Sequence, residues 1–105
     1  MKVLISIMAV SILGACATAE SLKVPLDAVA EKCISTGAPI DTVDTCLRKE
    51  GIEIKPSVLG ENIRRFSNCR PATTPLMTAC AWIHIVIDSE EKVSSWEVAS
   101  GYDGP

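Results

Sequence analysis

The fold of this chain is decided by residues 81–98, which read AWIHIVIDSEEKVSSWEV. From Trp82 to Ile87 the β-branched and aromatic residues are nearly continuous, a composition typical of a strand. A polar turn over residues 88–92 follows, and alternating apolar and polar residues come after it. This stretch therefore predicts a β-hairpin.

The apolar pattern also predicts how the two strands are aligned. Because side chains alternate across a strand, Ile83, Ile85 and Ile87 share one face. A four-residue turn over residues 89–92 would place Ile85 opposite Trp96, so that the isoleucines and the returning strand bury one common face. Since Glu91 does not favour the left-handed backbone conformation, a bulged five-residue turn is the alternative.

The hairpin leaves a second face, which carries Trp82, His84 and Val86. A tryptophan exposed beside an aliphatic residue is typical of an anchor for a protein partner. We therefore predict that these three residues bind a partner. The alternative is that the loop over residues 71–78, or Tyr102, folds over them.

The first twenty residues have the composition of an export signal. Lys2 precedes an apolar run from Val3 to Leu13, which is too short to cross roughly 30 Å of hydrocarbon as a helix. The sequence therefore predicts an exported protein whose leader is removed.

The end of this run, formed by Leu13, Gly14, Ala15 and Cys16, resembles a bacterial lipobox. The resemblance implies that residues 1–15 are a lipoprotein signal peptide and that Cys16 carries the lipid, including palmitate. Because the next residue is not aspartate, it also implies an outer-membrane anchor with the domain facing the periplasm. The alternative is ordinary cleavage after Ala19, which would release a soluble periplasmic or secreted protein.

Both cleavage schemes leave four cysteines for the fold, namely Cys33, Cys46, Cys69 and Cys80. An even number in a small exported domain predicts two disulfides. We expect Cys33–Cys46 and Cys69–Cys80, because each pair flanks one predicted supersecondary unit. A structural zinc site is disfavoured, since there is no C-x-x-C pair and the only histidine lies in a predicted strand.

Helical spacing of apolar residues begins at Leu26, and residues 16–25 before it are expected to form a polar tether. Gly37 ends this first helix. A second helix is expected to open at Pro39 and to end at Gly51, which would supply a left-handed cap.

Two more strands are expected before the hairpin. Residues 52–54 alternate and predict a short strand that Pro56 ends, and residues 63–66 predict a second strand. Residues 100–105 are expected to form a flexible tail, so the single domain spans residues 26–99. The predicted class is α+β, with two N-terminal helices packed on one face of an antiparallel sheet of three to four strands.

Two stretches resemble a known family. Residues 37–43, running on to Leu47 and Gly51, are similar to the start of the second helix in small exported bacterial domains, and residues 82–98 are similar to their closing hairpin. The pattern resembles the SmpA/OmlA lipoproteins, which help assemble outer-membrane β-barrels. The resemblance implies the β-lactamase-inhibitor-like α+β fold of that family, and only the lipobox positions are carried over as functional residues.

The inventory of charged and catalytic residues argues against two classes of function. Removing Lys2 from the ten basic residues leaves nine, against thirteen acidic residues, a balance that disfavours a nucleic-acid-binding protein. His84 is expected opposite Glu97 and near Ser95, but nothing predicts the oxyanion hole or nucleophile turn of a hydrolase. We therefore predict that the protein is not an enzyme and has no cofactor and no small-molecule substrate.

The favoured hypothesis is a non-catalytic, periplasm-facing lipoprotein that binds another envelope protein through its sheet. An alternative is a secreted or periplasmic enzyme inhibitor that uses the loop Arg70–Thr78, closed by Cys69–Cys80, because a preorganised loop loses less entropy on binding. One basic cluster is predicted that could meet anionic lipid or glycan near a membrane, although arginines on an edge strand more commonly serve to deter aggregation. It comprises Lys55, Arg64, Arg65 and Arg70.

Overall fold

The computed structural model describes residues 18–72 and 76–104. In these ranges two helices precede a four-stranded antiparallel sheet whose strands lie in chain order. The elements are α1 (Ala19–Cys33), α2 (Ile40–Lys49), β1 (Lys55–Ser57), β2 (Gly60–Pro71), β3 (Thr78–Ile87) and β4 (Val93–Asp103). The predicted α+β class is therefore confirmed, with a sheet of four strands.

Some predictions fall outside the described residues. They are the signal peptide over residues 1–15, the lipid-bearing Cys16, and the tip of the Arg70–Thr78 loop at residues 73–75. In the part of the chain that is described, no helix is both long enough and apolar enough to cross a membrane.

The core lies between the two helices and one face of the sheet. β3 alternates between buried and half-buried positions along its whole length. Ile83 and Ile85 are fully buried and belong to the same cluster as Ala30 of α1 and Leu47 of α2. The isoleucines of β3 thus point toward the helices, as the period-two pattern predicted.

The hairpin register is confirmed over most of its length, because Ile85 pairs with Trp96 and Ile83 pairs with Val98. Trp96 and Val98 are partly buried and pack against the core cluster. A one-residue slip would have turned these side chains to the opposite face.

The turn itself is the five-residue alternative, over residues 88–92, and Ile87 pairs with Val93 beside a bulge. Glu91 has a φ of 59°, in the left-handed region. Asp88 accounts for this geometry, because its Oδ1 accepts hydrogen bonds from the backbone N–H groups of Glu90 at 2.9 Å and of Lys92 at 3.0 Å. The expected four-residue turn is therefore wrong, and the side chain of Asp88 is the physical reason.

The polar tether predicted for residues 16–25 is wrong from Thr18 onward. α1 begins at Ala19 and runs through Pro25, which lies inside the helix. Leu22 packs against the core from this early part of the helix. Tertiary contacts therefore outweigh the poor helix propensity of proline.

The start of α1 is fixed by a capping box and by the end of the sheet. Thr18 Oγ1 accepts a hydrogen bond from the N–H of Ser21 at 3.1 Å, and the N–H of Thr18 donates to Ser21 Oγ at 3.0 Å. Ala19 is only 5% exposed, and its N–H donates to the hydroxyl oxygen of Tyr102 at 3.2 Å. These contacts satisfy backbone donors that a helix leaves free at its N-terminus.

The flexible tail predicted for residues 100–105 is also wrong up to Asp103, where β4 ends. Tyr102 pairs with Ala79 of β3 while its hydroxyl accepts the hydrogen bond at the start of α1. This end of the strand is thus held by the sheet on one side and by the helix on the other.

The second helix begins and ends as predicted, with Pro39 as its N-cap and Gly51 at a φ of 82°. The strand expected at residues 52–54 is displaced, because β1 starts at Lys55. The N–H of Ile52 donates to the carbonyl of Leu47 at 2.9 Å, so this residue completes the helix end instead of joining a strand. Pro56 lies within β1, where an edge strand tolerates it.

Both predicted disulfides are present. Cys33–Cys46 joins α1 to α2, with Cα atoms 5.4 Å apart. Cys69–Cys80 joins β2 to β3 at directly opposed positions. The Cys33–Cys46 disulfide holds the two helices together. The Cys69–Cys80 disulfide holds two strands together, on the face of the sheet that points away from the helices.

Candidate functional site

The predicted partner-binding residues lie on the face of the sheet turned away from the helices. We call this the outer face: the outward-pointing positions of the four strands, centred on Trp82, His84 and Val86. All three side chains are half-buried and alternate with the buried residues that face the helices. The strand period brings the three together as predicted.

Trp82 is fixed in position by its neighbours across the sheet. The guanidinium carbon of Arg65 lies 5.6 Å from the centroid of the indole ring, within the range of a cation–π contact. On the other side, a Cβ atom at Gly101 would lie 3.4 Å from the ring. The indole also lines an open depression of about 320 Å³, together with the Cys69–Cys80 disulfide.

The expected alternative was that the loop over residues 71–78 or Tyr102 covers these side chains. Tyr102 borders the depression beside Trp82, but its hydroxyl is engaged at the N-terminus of α1. Both helices pack against the opposite face of the sheet. Among the residues described, Trp82 is therefore held at its edges and left uncovered by either helix.

A row of charged and titratable side chains crosses the middle of the outer face. The strand register places Lys55 opposite Arg65, Arg65 opposite His84, and His84 opposite Glu97. The charge therefore changes from positive on the β1–β2 side to negative on β4. We call these four residues the charged row.

No ion pair among the described residues neutralises the charged row. In the described ranges, neither Arg65 nor His84 forms an ion pair with Glu97 or with another carboxylate. Arg65 Nε and His84 Nε2 are buried atoms with no hydrogen-bond partner in the part of the chain that the structure describes. Leaving such atoms unsatisfied costs about 1–3 kcal/mol, so this row differs from an ordinary solvated surface.

The rows on either side of it are neutral. One is formed by Ser67, Trp82 and Ala99, and the other is formed by Ile63, Val86 and Ser95. Sequence reasoning missed Ile63 and Arg65 as parts of the surface. The signal was present, because pairing Cys69 with Cys80 also sets Arg65 opposite His84 and Ile63 opposite Val86.

The groups considered for hydrolase chemistry do not assemble. Ser95 pairs with Val86, one row away from His84, and no hydrogen bond joins Ser95, His84 and Glu97 in the described structure. A nucleophile and its base must lie within hydrogen-bond reach of each other. Within the same residues there is no group of three or more His, Cys, Asp or Glu side chains that could hold a metal ion.

The predicted basic cluster is wrong, because the sheet divides it. Lys55 and Arg65 lie on the outer face, whereas Arg64 points to the opposite side, and one of its guanidinium nitrogens donates to the carbonyl of Glu61 at 2.6 Å. Arg70 has the same parity along β2 as Arg64. Neighbouring residues on a strand face opposite ways, so closeness in sequence did not produce one basic patch.

No protein-family model matches this chain, and no curated protein or solved structure matches it. The resemblance to the SmpA/OmlA lipoproteins thus stays a prediction.

Proposed function

We propose that this protein is a non-catalytic lipoprotein, anchored through Cys16 in the outer membrane and facing the periplasm, that binds another envelope protein through the outer face. The observation that carries the proposal is the setting of Trp82, which lies between Arg65 and Gly101 on a sheet face that neither helix covers. Tryptophan and arginine are enriched among the residues that dominate protein–protein binding energies.

The surroundings of Trp82 suit a protein partner. Ile63 and Val86 pair with each other on the far side of the charged row from Trp82, and both are half-buried. Removing their apolar surface from water stabilises a complex by about 25 cal/mol per Å². The charged row lies between this apolar pair and Trp82, and it adds specificity because a partner must supply complementary charged or polar groups there.

The start of α1 supports lipid attachment at Cys16 over cleavage after Ala19. Cleavage after Ala19 would remove Thr18, which is the N-cap, and the buried Ala19 that donates to Tyr102. Loss of a threonine cap alone costs about 1 kcal/mol. Processing at Cys16 keeps both residues in the mature chain.

The anchor is tested by labelling cells with a palmitate analogue and determining the mature N-terminus by mass spectrometry. We expect label in the wild-type chain, none in Cys16→Ser, and a mature chain that begins at Cys16. A mature chain that begins at Glu20, or label that persists in Cys16→Ser, would show that the proposed anchor is wrong.

The binding surface is tested by capturing partners from solubilised envelopes. Trp82→Ala should lose the captured protein, whereas Leu59→Ala should keep it, because Leu59 is 66% exposed in the β1–β2 turn, outside the strands that form the outer face. Leu76→Ala tests the inhibitor alternative, since Leu76 is 69% exposed in the Arg70–Thr78 loop. Capture that depends on Leu76 and not on Trp82 would assign binding to the loop.

A further inference from the structure

We infer that the protein bound by the outer face is a second copy of this chain, packed face to face about a two-fold axis parallel to β3. The inference rests on the proposed function, which makes the outer face a binding surface, and it names the partner. The charges, the side-chain sizes and the position of the start of α1 each support it.

The charged row is self-complementary about one axis only. When a second copy is turned by 180° about an axis along β3, each residue keeps its position along the strand direction. The β4 strand of the second copy then lies over β2 of the first, and its β2 lies over β4. Arg65 of one copy then faces Glu97 of the other, and the reciprocal pair forms as well, as in any isologous interface. A two-fold axis across the strands would instead place like charges over like charges.

This pairing gives Arg65 of each copy a carboxylate partner from the other copy. Arg65 has no carboxylate partner within its own chain in the described ranges, and Glu97 is exposed on the opposite side of the same row. Two sheets packed face to face lie about 10 Å apart with interdigitating side chains. An arginine and a glutamate that extend from opposite sheets meet across that distance.

The side-chain sizes on the neutral row of Trp82 also fit a second copy. Trp82 is flanked on its row by Ser67 and Ala99, and the far edge of its indole lies over Gly101 of β4. The two-fold axis therefore places the two rings on opposite sides of itself, each leaning toward its own β4 and facing the other copy's β2 between the levels of Ser67 and Cys69. The small residues leave room for the rings to pack side by side, which is the interdigitation that close packing requires.

The position of the start of α1 selects the same axis. The N-cap Thr18 precedes Ala19, whose N–H contacts Tyr102, and Tyr102 pairs with Ala79 near the start of β3. An axis parallel to β3 leaves this end of both copies pointing the same way, so anchors at Cys16 of both copies reach one membrane. The perpendicular axis would point the two anchors in opposite directions.

The area of the outer face sets the expected affinity of the dimer. The three long strands β2, β3 and β4 have 10 to 12 residues, whereas β1 at the edge has three. With neighbouring strands about 4.8 Å apart, the face has a footprint of about 500 Å² before the height of the side chains is counted, against about 800 Å² per partner in a standard interface. We therefore expect a dimer that dissociates in dilute solution. Confinement of both anchors to one membrane raises the effective concentration.

The test is sedimentation equilibrium of the full processed chain in a density-matched detergent, over about 1 µM to 1 mM, a range that brackets ordinary protein affinities. The wild type should form dimers in this range. Trp82→Ala should raise the dimer Kd at least about 30-fold, the factor that corresponds to a hot spot. Leu59→Ala, the exposed apolar control, should leave the Kd unchanged.

The decisive experiment mixes two charge-reversal variants, each of which carries one reversed charge. Arg65→Glu and Glu97→Arg should each be monomeric alone, because each homodimer would contain two like-charge pairs. An equimolar mixture should dimerise again, since the glutamate introduced in one variant would face the arginine introduced in the other, and the unchanged Arg65 and Glu97 would face each other. Lys49→Glu, a charge reversal at the exposed end of α2, should behave as wild type.

Each outcome separates the two proposals. A wild-type chain that stays monomeric to about 1 mM, or a mixture that fails to dimerise when the wild type does, overturns the second copy as the partner in this geometry. Trp82-dependent capture of a different envelope protein by a monomeric chain would leave the proposed function standing while overturning this inference. If Trp82→Ala changes neither dimerisation nor capture, the outer face is not a binding surface and both proposals fail.

Discussion

Truncating one core isoleucine tests which face of the sheet the helices cover. Ile85 is fully buried, pairs with Trp96 on one side and Arg64 on the other, and belongs to the core cluster. Replacing a buried isoleucine with alanine removes apolar contacts and leaves a cavity, at a cost of about 2–5 kcal/mol. A small domain has about 5–15 kcal/mol of total stability, so Ile85→Ala should remove a large share of it.

The neighbouring residue provides a matched control. Val86 follows Ile85 on the same strand but points to the outer face, where it is half-buried. In the monomer, Val86→Ala removes fewer contacts and leaves no closed cavity, so its cost should stay below about 1 kcal/mol. The difference between the two variants reports the side of the sheet on which the helices lie.

The assay is urea unfolding of the oxidised protein at about 1 µM or below, a concentration that keeps the chain monomeric if its affinity is ordinary. Far-UV circular dichroism and tryptophan fluorescence should give coincident transitions, as two-state unfolding requires. A shift of the midpoint at constant slope measures the lost stability. If Val86→Ala costs as much as Ile85→Ala, the assignment of the inner and outer faces is refuted.

Two further predictions concern the disulfides and a helix end. The double variant Cys33→Ala/Cys46→Ala should lower the free energy of unfolding by about 3 kcal/mol, since the bridge closes a loop with a sequence separation of 13; a urea midpoint that equals that of the oxidised wild type would contradict this. Gly51→Ala should cost about 1–2 kcal/mol, because Gly51 has a φ of 82° and no atom of the described residues lies within 4 Å of an added Cβ, so that strain acts without a clash. Thermal melting should show a smaller loss for Gly51→Asn, since asparagine adopts this conformation more readily, and equal losses for both variants would argue against backbone strain.

The parts of the fold that could be predicted are those in which one periodic signal dominates. The three isoleucines of β3 and Trp96 of β4 favour a register that buries them together, and that register is present as far as Val86. The turn between the strands was not predictable from the same pattern. Its length depends on Asp88, whose carboxylate binds two backbone N–H groups and holds Glu91 in the left-handed conformation.

The candidate surface was only partly predictable for a related reason. Trp82, His84 and Val86 follow from the period of one strand, but their cross-strand neighbours depend on the register between β2 and β3. That register follows from the Cys69–Cys80 pair, which also places Arg65 opposite His84 and Ile63 opposite Val86. A sequence-adjacent basic cluster was predicted instead, and alternation along β2 splits it.

The early start of α1 changes the distance between the domain and its proposed membrane. A tether over residues 16–25 would span up to about 35 Å when extended. With Thr18 as the N-cap, Ala17 alone separates Cys16 from the capping residue, so an anchor at Cys16 has a reach of about 7 Å. If the chain is anchored as proposed, such a tether would keep the Tyr102 end of the sheet nearest the bilayer and would leave the outer face open to the side, where the proposed second copy would arrive by lateral diffusion.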